Sequence, residues 1–559
     1  MSKNLSHLSG RKGLTDNLFE RLGELAEPAG SPSKEDLSKL AEEFLMRPAS
    51  LYGTASFYDF TRPENQGKKI YVCNGSSCLA AGTQDNLKKA IKSKVAEEAI
   101  GEMCCLGRCH ENNAFHYDGR NYSGNAIDQL DRILRKEVRD GADTYAVEAM
   151  GTPILTAPFP AWEEVTSQIR KLLQTPGEAI LDSIKKSGLR GRGGAGFPIG
   201  IKMETCLNAP GDLKFVVCNA DEGDPGSYSD RYILEQRPES LLIGMLIAGY
   251  VIGAQAGVVY VRAEYPASIQ AIKDAIASLE SKNLAGNNIL GSGFHFQFKL
   301  IEARGAYVCG EETALLASIE GQRPEVRVRP PFPAVEGLFG KPTLVNNVET
   351  LANLYYIFTQ SGETYAQLGR GRSTGTKLVS LDSAFNRPGV YEVEMGTPLL
   401  DVVEKMGQGF SRPTKALHIG GPLGGLVPVR KIGDLTVDFE SFAQNGFLLG
   451  HASVVGVPED FPMIAYLEHL FEFTAHESCG KCFPCRLGSV RGQELLHKAQ
   501  HDGYAIDPEL FNDLLTTMEK GSLCALGGGI PLPMRNALTY FQDELRAYFK
   551  ENQVISLVK

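Results

Sequence analysis

Most of the twelve cysteines of this chain fall into two sets, and their spacing suits metal or redox chemistry. In HESCGKCFPCRLGS, Cys479, Cys482 and Cys485 are two residues apart, and Cys524 follows in GSLCALGGG after 38 intervening residues. Three thiolates on so tight a loop can face one inorganic core while a distant fourth closes the coordination, a common way of holding a 4Fe-4S cluster. Structural zinc is the competing chemistry, although zinc more often takes two separated C-x-x-C pairs. Gly480, Pro484 and Gly488 permit sharp turns here, and Lys481 and Arg486 offset the negative charge of four thiolates. The other set, in YVCNGSSC and CCLGRC, has four residues between Cys73 and Cys78 and three between Cys105 and Cys109. Each pair follows an apolar segment, so both are expected on loops after strands, converging on a pocket that suits a 2Fe-2S cluster, with zinc again the alternative. A redox dithiol would want the C-x-x-C spacing. Cys104 is expected to pack, because neighbouring side chains in an extended segment point opposite ways.

Between the two sets the chain is glycine-rich, most densely in GLRGRGGAGFPIGIK, from Gly188 to Lys202. Glycines let backbone amides approach a phosphate or flat ring, and Arg190, Arg192 and Lys202 are expected to supply positive charge. The run does not match the G-x-G-x-x-G fingerprint and is weak alone. A strand follows in KFVVCNADEGDPGS, ending in Asn219, Asp221, Glu222 and Asp224, where ligands sit on open α/β sheets. A solvated acidic turn is the bland alternative. Further on, Gly310, Glu311 and Glu312 open an apolar-periodic helix whose free amides could take an anion, though acidic residues also suit a helix start structurally. Phe332 is a candidate stacking ring or a core ring, and Asn346 and Asn347 are candidate hydrogen-bond partners for a ring ligand.

These residues need several cores to hold them. At about 150 residues per domain, 559 residues make roughly four domains. The composition is that of a folded multidomain globular protein, its α/β class being read from the helix-then-strand order of residues 240–262, and a net charge of −10 argues against general binding to nucleic acid or anionic membrane. The N-terminus lacks a signal-type apolar region, which predicts a cytoplasmic protein and, in a reducing compartment, metal or redox use of its cysteines. The uncharged stretch Ser240 to Val261 is long enough to span a bilayer. Its glycines and β-branched end instead predict a buried helix over about 240–254 feeding a buried strand over about 257–262.

Taken together, GLRGRGGAGFPIG, NADEGDPGS, YVCGEETALL, RPPFP, LVNNVETLAN, ESCGKCFPCRLGS and SLCALGGG closely resemble the NADH-oxidising flavoprotein subunit of respiratory complex I and its soluble relatives, over about residues 150–559. Residues 12–140 resemble that complex's companion 2Fe-2S subunit, here fused into the same chain. The resemblance implies a helical bundle at 12–65, a thioredoxin-like 2Fe-2S domain at 66–140, a Rossmann-like FMN and NAD-binding domain at 150–367, a β-grasp domain at 368–450, and a helical bundle with a 4Fe-4S cluster at 451–559. It carries FMN contacts onto Gly191, Gly193, Lys202, Asn219, Asp221, Tyr307, Gly310, Glu311, Glu312, Asn346 and Asn347. It carries nucleotide contacts onto Phe197, Asp224, Arg329 and Phe332. Two positions depart from the pattern: Asp224 stands where glutamate is usual, and Thr205 where an aromatic can stack on adenine.

The implied chemistry is NADH:acceptor oxidoreduction, with NAD(H), FMN and both clusters as cofactors and no Ser/His/Asp triad. The ten histidines, His476 included, are expected at the surface or in packing. Fusion disfavours an ordinary complex I subunit. NADEGDPGS, IGGPLGGLVPV, GFLLGHASVVGVPEDFPM and EKGSLCALGGGIPLP look most like the β (diaphorase) subunit of cytoplasmic NAD-dependent formate dehydrogenase. That resemblance implies a molybdenum or tungsten catalytic subunit as partner, with a small 2Fe-2S subunit as a further candidate and no membrane span. The diaphorase of an NAD-reducing nickel-iron hydrogenase, or a fused complex I-type NADH dehydrogenase subunit, is the alternative, and a nucleotide-binding electron-transfer scaffold without turnover is the reading from a different class.

Overall fold

The computed structural model describes Leu14 and residues 17–27, 29–138 and 144–550; the expected domain limits at 12, 140 and 559 lie outside them. At its centre four parallel strands run in the order Gln297–Glu302, Ala256–Val261, Phe215–Ala220, Thr343–Asn347. Both faces of such a sheet must be covered, which is why its inner strands, Phe215–Ala220 and Ala256–Val261, are mostly apolar and buried. One face packs on the helices Pro238–Ile252 and Val348–Gln360. These two approach so closely that a Cβ on Gly244 would collide with the Leu351 carbonyl. The apolar stretch is thus the helix Pro238–Ile252 followed by the strand Ala256–Val261. Among the described residues no helix is long and apolar enough to cross a membrane.

The other face is covered by the N-terminal helices Leu18–Ala26, Lys34–Glu43 and Pro48–Ala55. Asn17 and Ser33 cap the first two by accepting from the amides of Phe19 and Asp36. Their apolar faces put Phe19, Leu22, Leu40 and Leu51, with Tyr58 from the turn that follows, into one core with Val217, Val258 and Ile301 of the sheet. Tyr58 donates to Ser318 Oγ (3.1 Å), and Lys299 pairs with Glu20 (2.6 Å). The N-terminal bundle is therefore the back layer of the central sheet.

A smaller sheet follows it, ordered Ile100–Met103, Ile70–Cys73, Phe115–Tyr117, Arg120–Tyr122, with the first pair parallel and the rest antiparallel. Its own core holds Ile70, Val72, Leu87, Ile91 and Phe115. A six-stranded sheet runs Gly425–Pro428, Thr414–Ile419, Ser453–Pro458, Thr376–Leu381, Gly389–Glu394, Ala146–Met150. It reaches outside residues 368–450 at both ends, taking one strand from ahead of the central sheet and one from beyond Gly450. A buried ion pair, Lys377–Glu349, ties this sheet to the helix Val348–Gln360. The chain ends in the helices Met463–Glu477, Phe483–His501, Pro508–Gly521 and Pro531–Tyr540 around a separate apolar core.

Candidate redox and nucleotide site

The parallel strands end where polar residues collect. Glu311 caps the helix Glu312–Ile319, with Oε2 accepting from the amides of Thr313 (2.9 Å) and Ala314 (3.0 Å). That satisfies one oxygen by hydrogen bonding; Oε1 is buried with no hydrogen-bond partner, and the Arg329 guanidinium stands 3.6 Å from it. Asp221 Oδ2 and Asn346 Nδ2, from the ends of two neighbouring strands, are orphaned in the same way. Buried polar atoms are rarely left unpaired, so two acceptors and a donor converging from three elements fit a ligand with polar ring edges. Asn219 Nδ2 donates to the Gly310 carbonyl (2.7 Å), and Asn347 caps the next helix while its Nδ2 donates to Asp230 (2.6 Å). Gly193 lies against Asn347, where a Cβ would stand 2.9 Å from the asparagine's own, so only glycine allows this approach.

The charges of the glycine run divide. Arg190 pairs with Glu440 (2.5 Å) over the Phe439 ring, so its charge is claimed, whereas buried Arg192 donates through Nη2 to the Thr374 carbonyl (2.6 Å) and keeps Nε and Nη1 without a hydrogen-bond partner. Lys202 is paired as well, with Glu312 (2.9 Å), and donates to the Val345 carbonyl (2.7 Å). Arg329 also pairs with Glu312 (3.1 Å), which ties the 197–202 turn to the 329–332 loop. Each carries an exposed ring: Phe197 is 53% and Phe332 55% exposed, so Phe332 is a surface ring and not a core one. Thr205 turns back to the Ile201 carbonyl (2.9 Å).

NADEGDPGS is no solvated turn. Glu222 is buried and accepts from Ser227 Oγ (2.5 Å) and the amides of Asp230 (2.9 Å) and Arg231 (3.0 Å), which folds the loop back on itself. Asp224 accepts from Tyr307 Oη (2.7 Å) and pairs with His451 Nε2 (2.8 Å). Burial alone would raise the Asp224 carboxyl, but His451 and the Tyr307 hydroxyl outweigh it and hold the group below the usual carboxylate range. Burial would lower His451, and Asp224 outweighs that and raises it. Asp221 is pushed well up by burial, against the pull of Arg262. His451 is a site residue that sequence reasoning placed among packing histidines, and Glu477, which accepts from the Tyr307 amide (2.8 Å), was not singled out at all.

Cys73, Cys78, Cys105 and Cys109 are all about 1% exposed and meet in one pocket: Cys105 and Cys109 sulfurs are 3.4 Å apart, and Cys73 touches both Cys78 and Cys105. The amides of Gly107 (3.4 Å) and Gly226 (3.2 Å) donate to sulfur. Gly226 comes from the NADEGDPGS loop, so the pocket is closed by the other half of the molecule. Cys104 lies outside it, packed between the central and C-terminal cores. Cys479, Cys482, Cys485 and Cys524 form the second set, with Cys482 at the start of Phe483–His501 and Cys524 at the start of Ala525–Gly529. Helix N-termini favour negative charge. Gly527 sits where a Cβ would come 2.6 Å from that of Cys485. Among the described residues, no three thiols of either set have their sulfurs all within 4.8 Å of one another, whereas ligands of one tetrahedral zinc lie about 3.8 Å apart. Each set supplies four thiols, the donor set that an iron–sulfur cluster takes.

Comparison with known proteins agrees with this arrangement. Residues 184–356 match the Nuo51 FMN-binding domain, 465–548 the NADH-ubiquinone oxidoreductase-F iron-sulfur binding region, and 8–137 the thioredoxin-like [2Fe-2S] ferredoxin. The chain is 42% identical over 385 residues to NADP-reducing hydrogenase subunit HndC of Solidesulfovibrio fructosivorans, covering 68% of this chain and 78% of that one. It is 32% identical over 540 residues to NAD-reducing hydrogenase HoxS subunit alpha of Cupriavidus necator, covering 91% and 88%. An NADH-quinone oxidoreductase subunit of Rhizobium meliloti is 40% identical over 390 residues, covering 69% and 92%. The fold superposes on a chain of an NAD+-reducing [NiFe]-hydrogenase crystal structure with a TM-score of 0.82 at 29% identity, covering 97% and 96%. These likenesses supply FMN, 2Fe-2S and 4Fe-4S domains on an NAD(H)-linked oxidoreductase, and the chain belongs to the family of FMN- and iron–sulfur-bearing NADH-oxidising subunits shared by NADH-quinone oxidoreductases and NAD(P)-reducing hydrogenases.

Proposed function

We propose that the chain is the diaphorase (β) subunit of a cytoplasmic NAD-dependent formate dehydrogenase, partnered by a molybdenum or tungsten catalytic subunit. The observation behind this reading is a convergence at Asp224. His451, from GFLLGHASVVGV, pairs with it, and a Cβ on Gly421, from IGGPLGGLVPV, would collide with its carboxylate. Three of the runs that resemble the formate dehydrogenase β chain thus build one corner of the site. The hydrogenase diaphorase is the second reading, favoured by near full-length likeness to the HoxS alpha subunit.

In either assembly the same residues act. FMN, when bound, exchanges a hydride with NAD(H) and passes electrons singly to iron–sulfur centres. Asn346 Nδ2, Glu311 Oε1 and Asp221 Oδ2 are positioned to meet polar edges of the flavin. Gly191, Gly193 and Gly310 allow close backbone approach, while the Lys202–Glu312 pair lines the cradle that Asn219, Asn347 and Tyr307 fix. Phe197 and Phe332 offer stacking faces for the dinucleotide and Arg329 a cation. Asp224, kept ionised by His451, places a carboxylate beside it. Cys73, Cys78, Cys105 and Cys109 would hold the 2Fe-2S cluster, and Cys479, Cys482, Cys485 and Cys524 the 4Fe-4S cluster.

The test is isolation of the native assembly, with metal analysis and both formate- and hydrogen-dependent NAD+ reduction measured on one sample. Molybdenum or tungsten with formate activity is the expected result. Nickel with hydrogen activity would move the chain to the hydrogenases, and an isolated chain that neither holds flavin nor lets NADH reduce ferricyanide would sink both readings.

A further inference from the structure

The C-terminal bundle carries a second group of ligating side chains that none of the proposed chemistry uses. Glu468 lies on the helix Met463–Glu477, and His497 and His501 lie one turn apart on the antiparallel neighbour Phe483–His501. One ligand atom from each falls within 4.8 Å of the other two, a spacing that no trio of described cysteines attains. Residues four apart on a helix share a face, which puts the two imidazoles one above the other with ring centres 4.5 Å apart. Glu468 reaches them from across the groove, its Oε1 2.8 Å from His497 Nδ1.

The carboxylate is already oriented. Gln500 Nε2 donates to its other oxygen, so Oε1 is turned toward the imidazoles. Glu468 is mostly buried at the base of the group, with 17% of its side chain exposed, while His497 is 56% exposed and open to solvent. The helices cannot drift apart at this point, because Gly492 lets the Phe471 ring press directly on the backbone of its neighbour. Two neutral imidazoles and one carboxylate, with water in a fourth position, are a donor set for late first-row divalent cations; a partner that hydrogen-bonds a ligating carboxylate is the usual support of such a site.

We infer that Glu468, His497 and His501 form a surface binding site for a divalent cation of the zinc type. The ion would bridge the two helices at the far end from the cysteine loop: His497 is twelve residues along the helix from Cys485, about 18 Å at 1.5 Å per residue. Its occupancy is therefore separable from that of the iron–sulfur sites.

The experiment uses untagged, cluster-loaded protein titrated with Zn2+ by equilibrium dialysis, with zinc and iron quantified together. Wild type is expected to take up one zinc per chain with no loss of iron. His497→Gln and His501→Gln should each weaken binding at least about tenfold. Glu468→Gln should do the same while keeping shape and hydrogen bonds. Iron content and NADH:ferricyanide reduction, expected unchanged in all three variants, establish that they are folded. Absence of saturable zinc uptake by wild type, undiminished affinity in the histidine variants, or zinc taken up only as iron is lost would each overturn the inference.

Discussion

Asp224 and His451 illustrate how one pair of side chains sets the charge of the nucleotide corner. Without the imidazolium, burial would raise the Asp224 carboxyl. In His451→Gln that carboxyl should rise, taking up its proton at a higher pH than in wild type. NADH:ferricyanide reduction by the variant is then expected to fall off earlier than that of wild type as pH is lowered, in kcat/KM more than in iron or flavin content. Parallel pH profiles for the two proteins would show that the pair does not govern the site. Asp224 was visible in the sequence because it ends an apolar strand. His451 was not, since it arrives from 227 residues away and nothing in GHASVV marks an ion-pairing histidine. The cysteines were legible for the opposite reason: a cluster needs several thiolates on short loops, and short loops write their spacing into the chain. Arg190 carries the converse lesson, because positive charge in a glycine run is read as free until Glu440 is seen to claim it.

At the scale of elements, Lys377 and Glu349 hold the six-stranded sheet against the helix Val348–Gln360 with no exposure to solvent. Glu349 Oε1 also accepts from the Leu378 amide (3.0 Å), so the carboxylate is engaged on both sides. Removing one partner of such a pair leaves a buried charge unmatched, which costs about 3–5 kcal/mol. Lys377→Met is therefore expected to lower the unfolding midpoint clearly in denaturant titration, while a surface control such as Lys405→Met moves it by about 0.5 kcal/mol or less. Equal effects would show that the two sheets do not depend on this link. Local periodicity identified the helix and strand inside the apolar stretch after Ser240, because each buries its own pattern. It could not reveal that Ala146–Met150 joins a sheet whose other strands lie beyond Ser373, since strand pairing across such a distance leaves no local mark.

Across the whole molecule, buried groups of opposite kind balance one another against acid. Burial pushes His418 down to about 4, and His469 likewise to about 4, so both are neutral inside while an unfolded imidazole protonates near 6.5. Each therefore costs stability as pH falls from about 6.5 to 4. Burial raises Asp59 and Asp382 to about 7, so these carboxyls hold protons that the unfolded chain gives up near 4, and their effect runs the other way, lost as pH rises from about 4 to 7. His418→Gln removes one side of that balance. The difference in thermal midpoint, variant minus wild type, should climb steadily from pH 7 to pH 4.5, by up to about 3 kcal/mol in stability terms; a constant difference would mean that His418 does not remain neutral in the fold. The closure of the N-terminal cysteine pocket by Gly226 has a temporal meaning as well. Four thiols sealed by a loop from the other half can receive iron and sulfide only before the halves meet, whereas the partly exposed Cys482 and Cys524 stay within reach afterwards. Maturation thus has a built-in sequence, and folded apoprotein given iron and sulfide should regain the signal of the C-terminal cluster while the other stays dark until the chain is unfolded and allowed to close again.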